Sequence, residues 1–235
     1  MKNVRIKQRS KLSEQLEVYN ESYFKGPRDL SFSRIQKTVS LLGKVDKKRI
    51  LDLGCGTGEG SRLLQRMGAS VISVDIARYA VSACNNLNLE TLRGTVFNLP
   101  FREGCFDGIL FMDVIEHLPK NHIISVLREI KRVTKLSGKI AIHTMPNLFL
   151  EKLSITYGLM DKRHWRRPGI QGGHINTYTS WRLKSEVELA GLKITSFDIG
   201  IYPKNAPFST IVSPISAKFK WLLGNDFWVS CTKNH

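Results

Sequence analysis

The sequence predicts an α/β fold, with a mostly parallel sheet covered by helices on both faces. Three observations carry that expectation. Short apolar runs alternate with segments of helical periodicity along most of the chain. The runs at 50–53, 70–76 and 106–112 are almost continuously apolar, as strands buried on both faces must be. The first run ends in a turn with glycine at positions 54, 56 and 58. A strand, a glycine turn and a helix in that order make a nucleotide-type site, because the helix N-terminus presents free N–H groups.

The elements follow in order. Residues 1–11 are polar and basic and read as a loose arm. Residues 13–24 form a short helix with Leu16, Tyr19, Tyr23 and Phe24 on its apolar side, and Gly26-Pro27 ends it. Residues 31–42 form a second helix, with Ile35, Val39 and Leu42 at helical spacing and Gly43 as its stop. The first strand and glycine turn come next, then a helix at 61–67 closed by Gly68. A strand at 70–76 leads into a helix at 77–86, and a third strand is expected at 92–96. Phe106-Asp107 opens a fourth strand, and a helix is expected from Asp113 onward. Residues 121–136 read as an amphipathic helix, with Ile124, Val126, Leu127, Ile130 and Val133 on its buried side. A strand at 139–144, a helix at 180–190 and strands at 192–202 and 225–232 complete the set.

Asp52 lies inside the first strand, and Asp75 ends the second, 21 residues after Gly54. An acid at the end of the second strand of a βαβ unit can accept hydrogen bonds from both ribose hydroxyls. Capping the next helix is the plainer alternative. The glycine spacing is G-x-G-x-G, which differs from the G-x-G-x-x-G of a dinucleotide fingerprint.

At 52–58 the chain resembles the class I S-adenosylmethionine-dependent methyltransferases, whose first motif has the form hDhGxGxG. Gly94-Thr95-Val96-Phe97-Asn98-Leu99-Pro100-Phe101 is similar to the G-D-A-x-x-L-P-F segment of the ubiquinone-biosynthesis-like group, with Thr95 in place of the acid. Asp113-Val114-Ile115-Glu116-His117-Leu118 resembles that group's D-x-x-E-H-L. The resemblance covers about residues 45–200. It implies a Rossmann-like, seven-stranded sheet with the last strand antiparallel. The implied organisation is a basic arm and lid helix at 1–30, then a methyltransferase domain at 31–235 with substrate-side insertions at 145–179 and 203–224. The implied cofactor is S-adenosylmethionine, with S-adenosylhomocysteine as product. Its contacts are expected from Asp52, Gly54, Cys55, Gly56, Gly58, Asp75, Ile76, Asn98, Leu99, Met112 and Asp113. Asp52 would hold the methionine ammonium, directly or through water.

Methyl transfer from a sulfonium is an in-line displacement that needs an aligned nucleophile and is helped by a base. His117 is the leading candidate, since its ordinary pKa suits proton abstraction near neutrality. Packing against the cofactor is the alternative. His174 and Tyr178 precede a helix, where similar relatives line the acceptor pocket, and are further acid/base candidates. On an α-helix Asp113, Glu116 and His117 would share a face and offer a divalent cation two carboxylates and an imidazole. The shorter Asp at the first position disfavours that option, and no metal is assigned.

The formal net charge is +16, with basic clusters at 2–11, 44–49, 131–139, 162–167 and 218–220. Such a surface favours anionic partners. Residues 203–223 mix apolar and basic side chains, as an interfacial segment on an anionic membrane does. A lid over a greasy substrate or a dimer contact would look alike. With Leu148, Phe149, Leu150 and Leu153 they suggest a large apolar acceptor such as a prenylated quinone precursor or a lipid-linked sugar, and the expected reaction is methyl transfer to an oxygen of a small or lipid-like acceptor. RNA is the rival acceptor, with Trp165 for stacking. A non-catalytic S-adenosylmethionine-binding protein is the reading from another class. The lack of a long apolar run or a secretory h-region, and four cysteines without paired spacing, suit a cytoplasmic protein, peripheral to a membrane at most.

Overall fold

The computed structural model describes residues 19, 21–25, 32–145, 175–200 and 226–233. Helix α1 (Glu21–Lys25) and helix α2 (Phe32–Ser40) precede β1 (Arg49–Leu53). Then come α3 (Glu59–Arg66), β2 (Ser70–Asp75), α4 (Arg78–Asn86), β3 (Thr91–Arg93) and β4 (Phe106–Met112). Two 3₁₀ turns, Ile115–His117 and Lys120–His122, lead into α5 (Ile123–Val133). Strand β5 (Thr134–Thr144), helix α6 (Ser180–Leu189), β6 (Leu192–Gly200) and β7 (Asp226–Lys233) close the fold.

The sheet order is β3-β2-β1-β4-β5-β7-β6. Strands β1 to β5 pair in parallel, and β7 runs antiparallel to both β5 and β6. The chain steps outward from β1 to β3 and then returns to lay β4 beside β1. Ligands of such sheets bind at that reversal, beyond the carboxyl ends of the strands.

Side-chain alternation in β1 divides the core. Leu51 and Leu53 face the cluster made with α5 and α6, while Ile50 faces α2 and α3. Leu51 and Leu53 are each 0% exposed. Burying a leucine this fully contributes about 1.5–3 kcal/mol. Helix α5 buries Ile123, Val126, Leu127, Ile130 and Val133 along one stripe. Thr179 caps α6, its hydroxyl accepting from the Arg182 amide at 3.3 Å.

Three sequence expectations change. Strand β3 ends at Arg93 rather than running to residue 96, because its partner β2 ends at Asp75, whose carbonyl takes the last ladder bond from the Gly94 amide. The segment after β4 is no α-helix: Asp113 takes φ +54° and two 3₁₀ turns follow. Helix α5 stops at Val133, and β5 starts at Thr134, five residues before the apolar run at 139. A register shift against β4 accommodates that early start. All four cysteines are buried and free, and Cys55 and Cys84 approach to 3.7 Å between sulfurs. Among the described residues no helix is long and apolar enough to cross a membrane.

Candidate active site

The loop after β1 is anchored to the end of β2. The Gly54 and Cys55 amides both donate to the Val74 carbonyl, at 2.7 and 3.2 Å. Gly54 has φ +80°, and a Cβ there would lie 2.2 Å from Val114 Cγ2. Glycine is therefore required both by conformation and by the close approach of the turn after β4. Gly56, at φ +54°, differs. Among the described residues a Cβ there would meet only Phe24, at 3.9 Å. Its missing side chain leaves a cradle on the open side of the loop, where a ligand can reach the main chain.

Asp75 closes this cradle. Its Oδ2 accepts from the Gly56 amide at 2.9 Å and its Oδ1 from the Ala77 amide at 2.8 Å. It thus ties the glycine loop to the start of α4. Ile76 beside it is half-buried, its carbonyl accepting from Arg93 Nε at 3.1 Å.

Asp52 is placed otherwise than the sequence suggested. Its side chain shares the β1 face of Ile50 and is 3% exposed, and its Oδ2 accepts from the Ser61 hydroxyl at 2.6 Å. Ser61 also meets the Ser73 hydroxyl at 2.8 Å. Asp52 therefore braces β1, α3 and β2 beneath the loop. Burial pushes its carboxyl up to about 7, against the Ser61 bond, which lowers it.

Leu99 is also a correction. Its side chain lies in the core and its amide donates to Glu129 Oε1 at 2.8 Å, so neither is left for a cofactor. Asn98 beside it is exposed. Tyr178 is buried at 0% exposure, in one cluster with Leu183 and Val187. Burial, reinforced by the charge of Glu186, holds its phenol far above the ordinary range. That argues against proton transfer by Tyr178 and makes it a core residue. His174 lies outside the described residues.

The turn after β4 carries the densest chemistry. Asp113, a quarter exposed, accepts from Arg34 Nη2 at 2.9 Å on Oδ2, and its Oδ1 lies 2.6 Å from His143 Nδ1. His143 Nε2 lies 2.7 Å from Asp226 Oδ1. His143 is 0% and Asp226 2% exposed. Burial would lower the imidazole's pKa, but the charge and bond of Asp113, with Asp226, outweigh it and raise it to about 9. Burial acts against ionisation of Asp113, yet His143 and Arg34 hold it below the usual carboxylate range. Glu116 is 0% exposed, with Thr144 Oγ1 donating to its Oε2 at 2.9 Å. Burial and then the Asp113 charge push its carboxyl well up. The Glu116 carbonyl accepts from the Ile175 and Asn176 amides at 3.0 and 2.9 Å. The helical face expected for Asp113, Glu116 and His117 does not form, because the backbone is left-handed at Asp113 and 3₁₀ beyond it.

Aromatic rings line the same edge. Tyr19 packs edge-on against His117 at 5.9 Å and against Tyr23 at 4.9 Å, while Phe24 stacks on Tyr79 at 5.5 Å. The Tyr19 phenol feels the charges of both Glu116 and Asp75. Tyr19 and Phe24 thus reach the β4 side and the β2 side of the site respectively. Met112 is half-buried against the core on the α2 side. The glycine loop, Asp75 and the Asp113 turn converge as the motifs predicted. Arg34, His143 and Asp226 were not predicted as a group. A lone histidine in the apolar run KIAIHT was the one available signal for them.

The chain was compared with known proteins. A family model described as a methyltransferase domain matches residues 28–196. A malonyl-[acyl-carrier protein] O-methyltransferase of Herminiimonas arsenicoxydans is 30% identical over 132 residues, covering 55% of this chain and 49% of that protein. The mitochondrial ubiquinone biosynthesis O-methyltransferase of Schizosaccharomyces pombe is 31% identical over 119 residues, covering 45% and 41%. The chain thus spans about half or less of the curated relatives it matches. A crystal structure of a SAM dependent methyltransferase from Archaeoglobus fulgidus superposes with TM-score 0.64 at 19% identity, covering 91% of this chain and 97% of that one.

Proposed function

Because the chain belongs to the methyltransferase-domain family, we propose that it transfers a methyl group from S-adenosylmethionine to an oxygen of a small or lipid-like acceptor. The observation that carries the donor half is the Gly56–Asp75 pair, an open cradle closed by a strand-end carboxylate. The residues fit the cofactor. Asp75 is the strand-end carboxylate to which ribose hydroxyls can donate, the glycine loop lets the main chain approach, and Met112 and Asp113 bound the side next to β4. The sulfonium supplies the methyl group. The protein's own part is to align the acceptor oxygen and exclude water, which supplies most of the rate in such displacements. In this reading His117, whose ring packs against Tyr19, takes the acceptor's proton.

Two relatives support the acceptor half, since both are O-methyltransferases, one of ubiquinone biosynthesis and one acting on a malonylated carrier protein. The rival acceptor is RNA, favoured by the net charge of +16. Incubation with methyl-labelled S-adenosylmethionine and either a prenylated catechol in liposomes or total RNA separates them. Label in the catechol ether supports the proposal. Label in RNA alone contradicts it.

A further inference from the structure

We propose that His143 is a positioning residue for the methyl-donor site: an imidazolium clamped between Asp113 and Asp226 that fixes the turn after β4. The inference rests on the donor-site reading above, in which Asp113 borders the cofactor.

Both ring nitrogens face carboxylate oxygens, at 2.6 Å for Nδ1 and 2.7 Å for Nε2. A neutral imidazole carries one N–H, so only the imidazolium donates to both partners. Arg34 adds a second cation on the far oxygen of Asp113. Arg34 and the imidazolium balance Asp113 and Asp226, so the buried group is neutral as a whole. A buried charge is tolerated only when it is paired in this way.

The clamp joins parts of the chain that are far apart. Arg34 is on α2, Asp113 follows β4, His143 is on β5 and Asp226 opens β7. Arg34 Nη1 also reaches Met145 Sδ at 2.9 Å, just past the end of β5. The two insertions expected to face the acceptor, 145–179 and 203–224, leave and re-enter the described fold at Met145 and Asp226. One neutral ion chain therefore sets both stems and the donor-side turn against each other.

That turn needs holding. Asp113 is a non-glycine residue at φ +54°, a conformation costing on the order of 1–3 kcal/mol unless its surroundings enforce it. The next residue, Val114, packs where a Gly54 Cβ would be. Releasing Asp113 would let the turn relax and would move Val114 off the glycine loop, so a change at His143 reaches the cofactor cradle without touching it.

The test uses S-adenosylhomocysteine binding by calorimetry, well below the lowest melting midpoint, on wild type, His143→Gln and the His143→Gln/Asp226→Asn double variant. Glutamine cannot donate to both carboxylates, and the second change removes the surplus buried charge. Wild type should bind, and both variants should bind about tenfold more weakly or worse. The double variant should recover thermal stability without recovering affinity, because Asp113 keeps Arg34 but still lacks the imidazolium that ties it to Asp226. Affinity within about twofold of wild type in either folded variant overturns the positioning role. Wild type that fails to bind overturns the donor-site reading itself, and the proposal with it. Nitrogen-15 NMR of wild type needs no variant. Two protonated ring nitrogens on His143 at neutral pH support the clamp, and a neutral tautomer overturns it.

Discussion

Asp52→Asn tests whether the acid of the glycine motif braces the sheet from below. The Asp52 carboxyl is 3% exposed, and burial raises it from 3.8 to about 7. Its folded pKa lies above its unfolded one, so its contribution is fully present below the unfolded value and is lost as pH rises through the folded one. The shift is about three units at about 1.4 kcal/mol each, so up to about 4 kcal/mol disappears between about pH 4 and pH 8. Asparagine keeps an oxygen for the Ser61 hydroxyl and carries no charge. The variant should match or fall slightly below wild type near pH 4, and exceed it near pH 8 by about 2–4 kcal/mol. For a chain of this size that is a difference on the order of 10 °C in melting midpoint. Thermal melts of both proteins across this range, without cofactor, read it directly. Comparing the two isolates Asp52 from Glu116, which titrates in the same direction. Stability curves that stay parallel at every pH would refute the buried, unpaired carboxylate.

Gly54→Ala should cost about 2–4 kcal/mol in urea unfolding, since it combines a left-handed backbone with overlap against Val114; a neutral result would mean the turn is free to move. Tyr178→Phe should leave methyl transfer within about threefold, as for a core residue, whereas Tyr178→Ala should destabilise by about 3–5 kcal/mol. A large loss of turnover in the well-folded Phe variant would restore Tyr178 to catalysis. His117→Ala should lower turnover by about 100-fold with little change in S-adenosylhomocysteine affinity, if it takes the acceptor's proton. Equal turnover would reduce it to a packing partner of Tyr19.

Much of the fold was legible because parallel strands buried on both faces must be apolar, and the turns between them need glycine. Ile50, Leu51 and Leu53 followed by Gly54 show both signals in a few residues. The β4-to-α5 connection was misread because Asp113-to-His117 has helical spacing, while the left-handed Asp113 is imposed by Arg34 and His143 from elsewhere in the chain. Early β5 failed for a related reason. Residues 134–138 have no apolar pattern; Thr134 pairs with Phe106 of β4, and a register shift separates it from the regular pairing that resumes at Lys139. In the site, Gly56 and Asp75 were legible because local backbone needs and a strand end fix their roles. Asp52 and Leu99 were assigned by motif, yet the direction of a side chain along a strand and the reach of Glu129 decide where they point. The His143–Asp226 contact spans 83 residues, and no spacing rule connects them.

The central claim is that the glycine loop and Asp75 form an S-adenosylmethionine site. Calorimetry of S-adenosylhomocysteine against wild type and Asp75→Ala tests it most directly, with circular dichroism to confirm that the variant is folded. Wild type should bind with micromolar affinity or thereabouts, and the variant should lose about 100-fold, the cost of two charge-assisted ribose hydrogen bonds. Equal affinity in the two proteins, or no binding by wild type at millimolar ligand, would contradict the account.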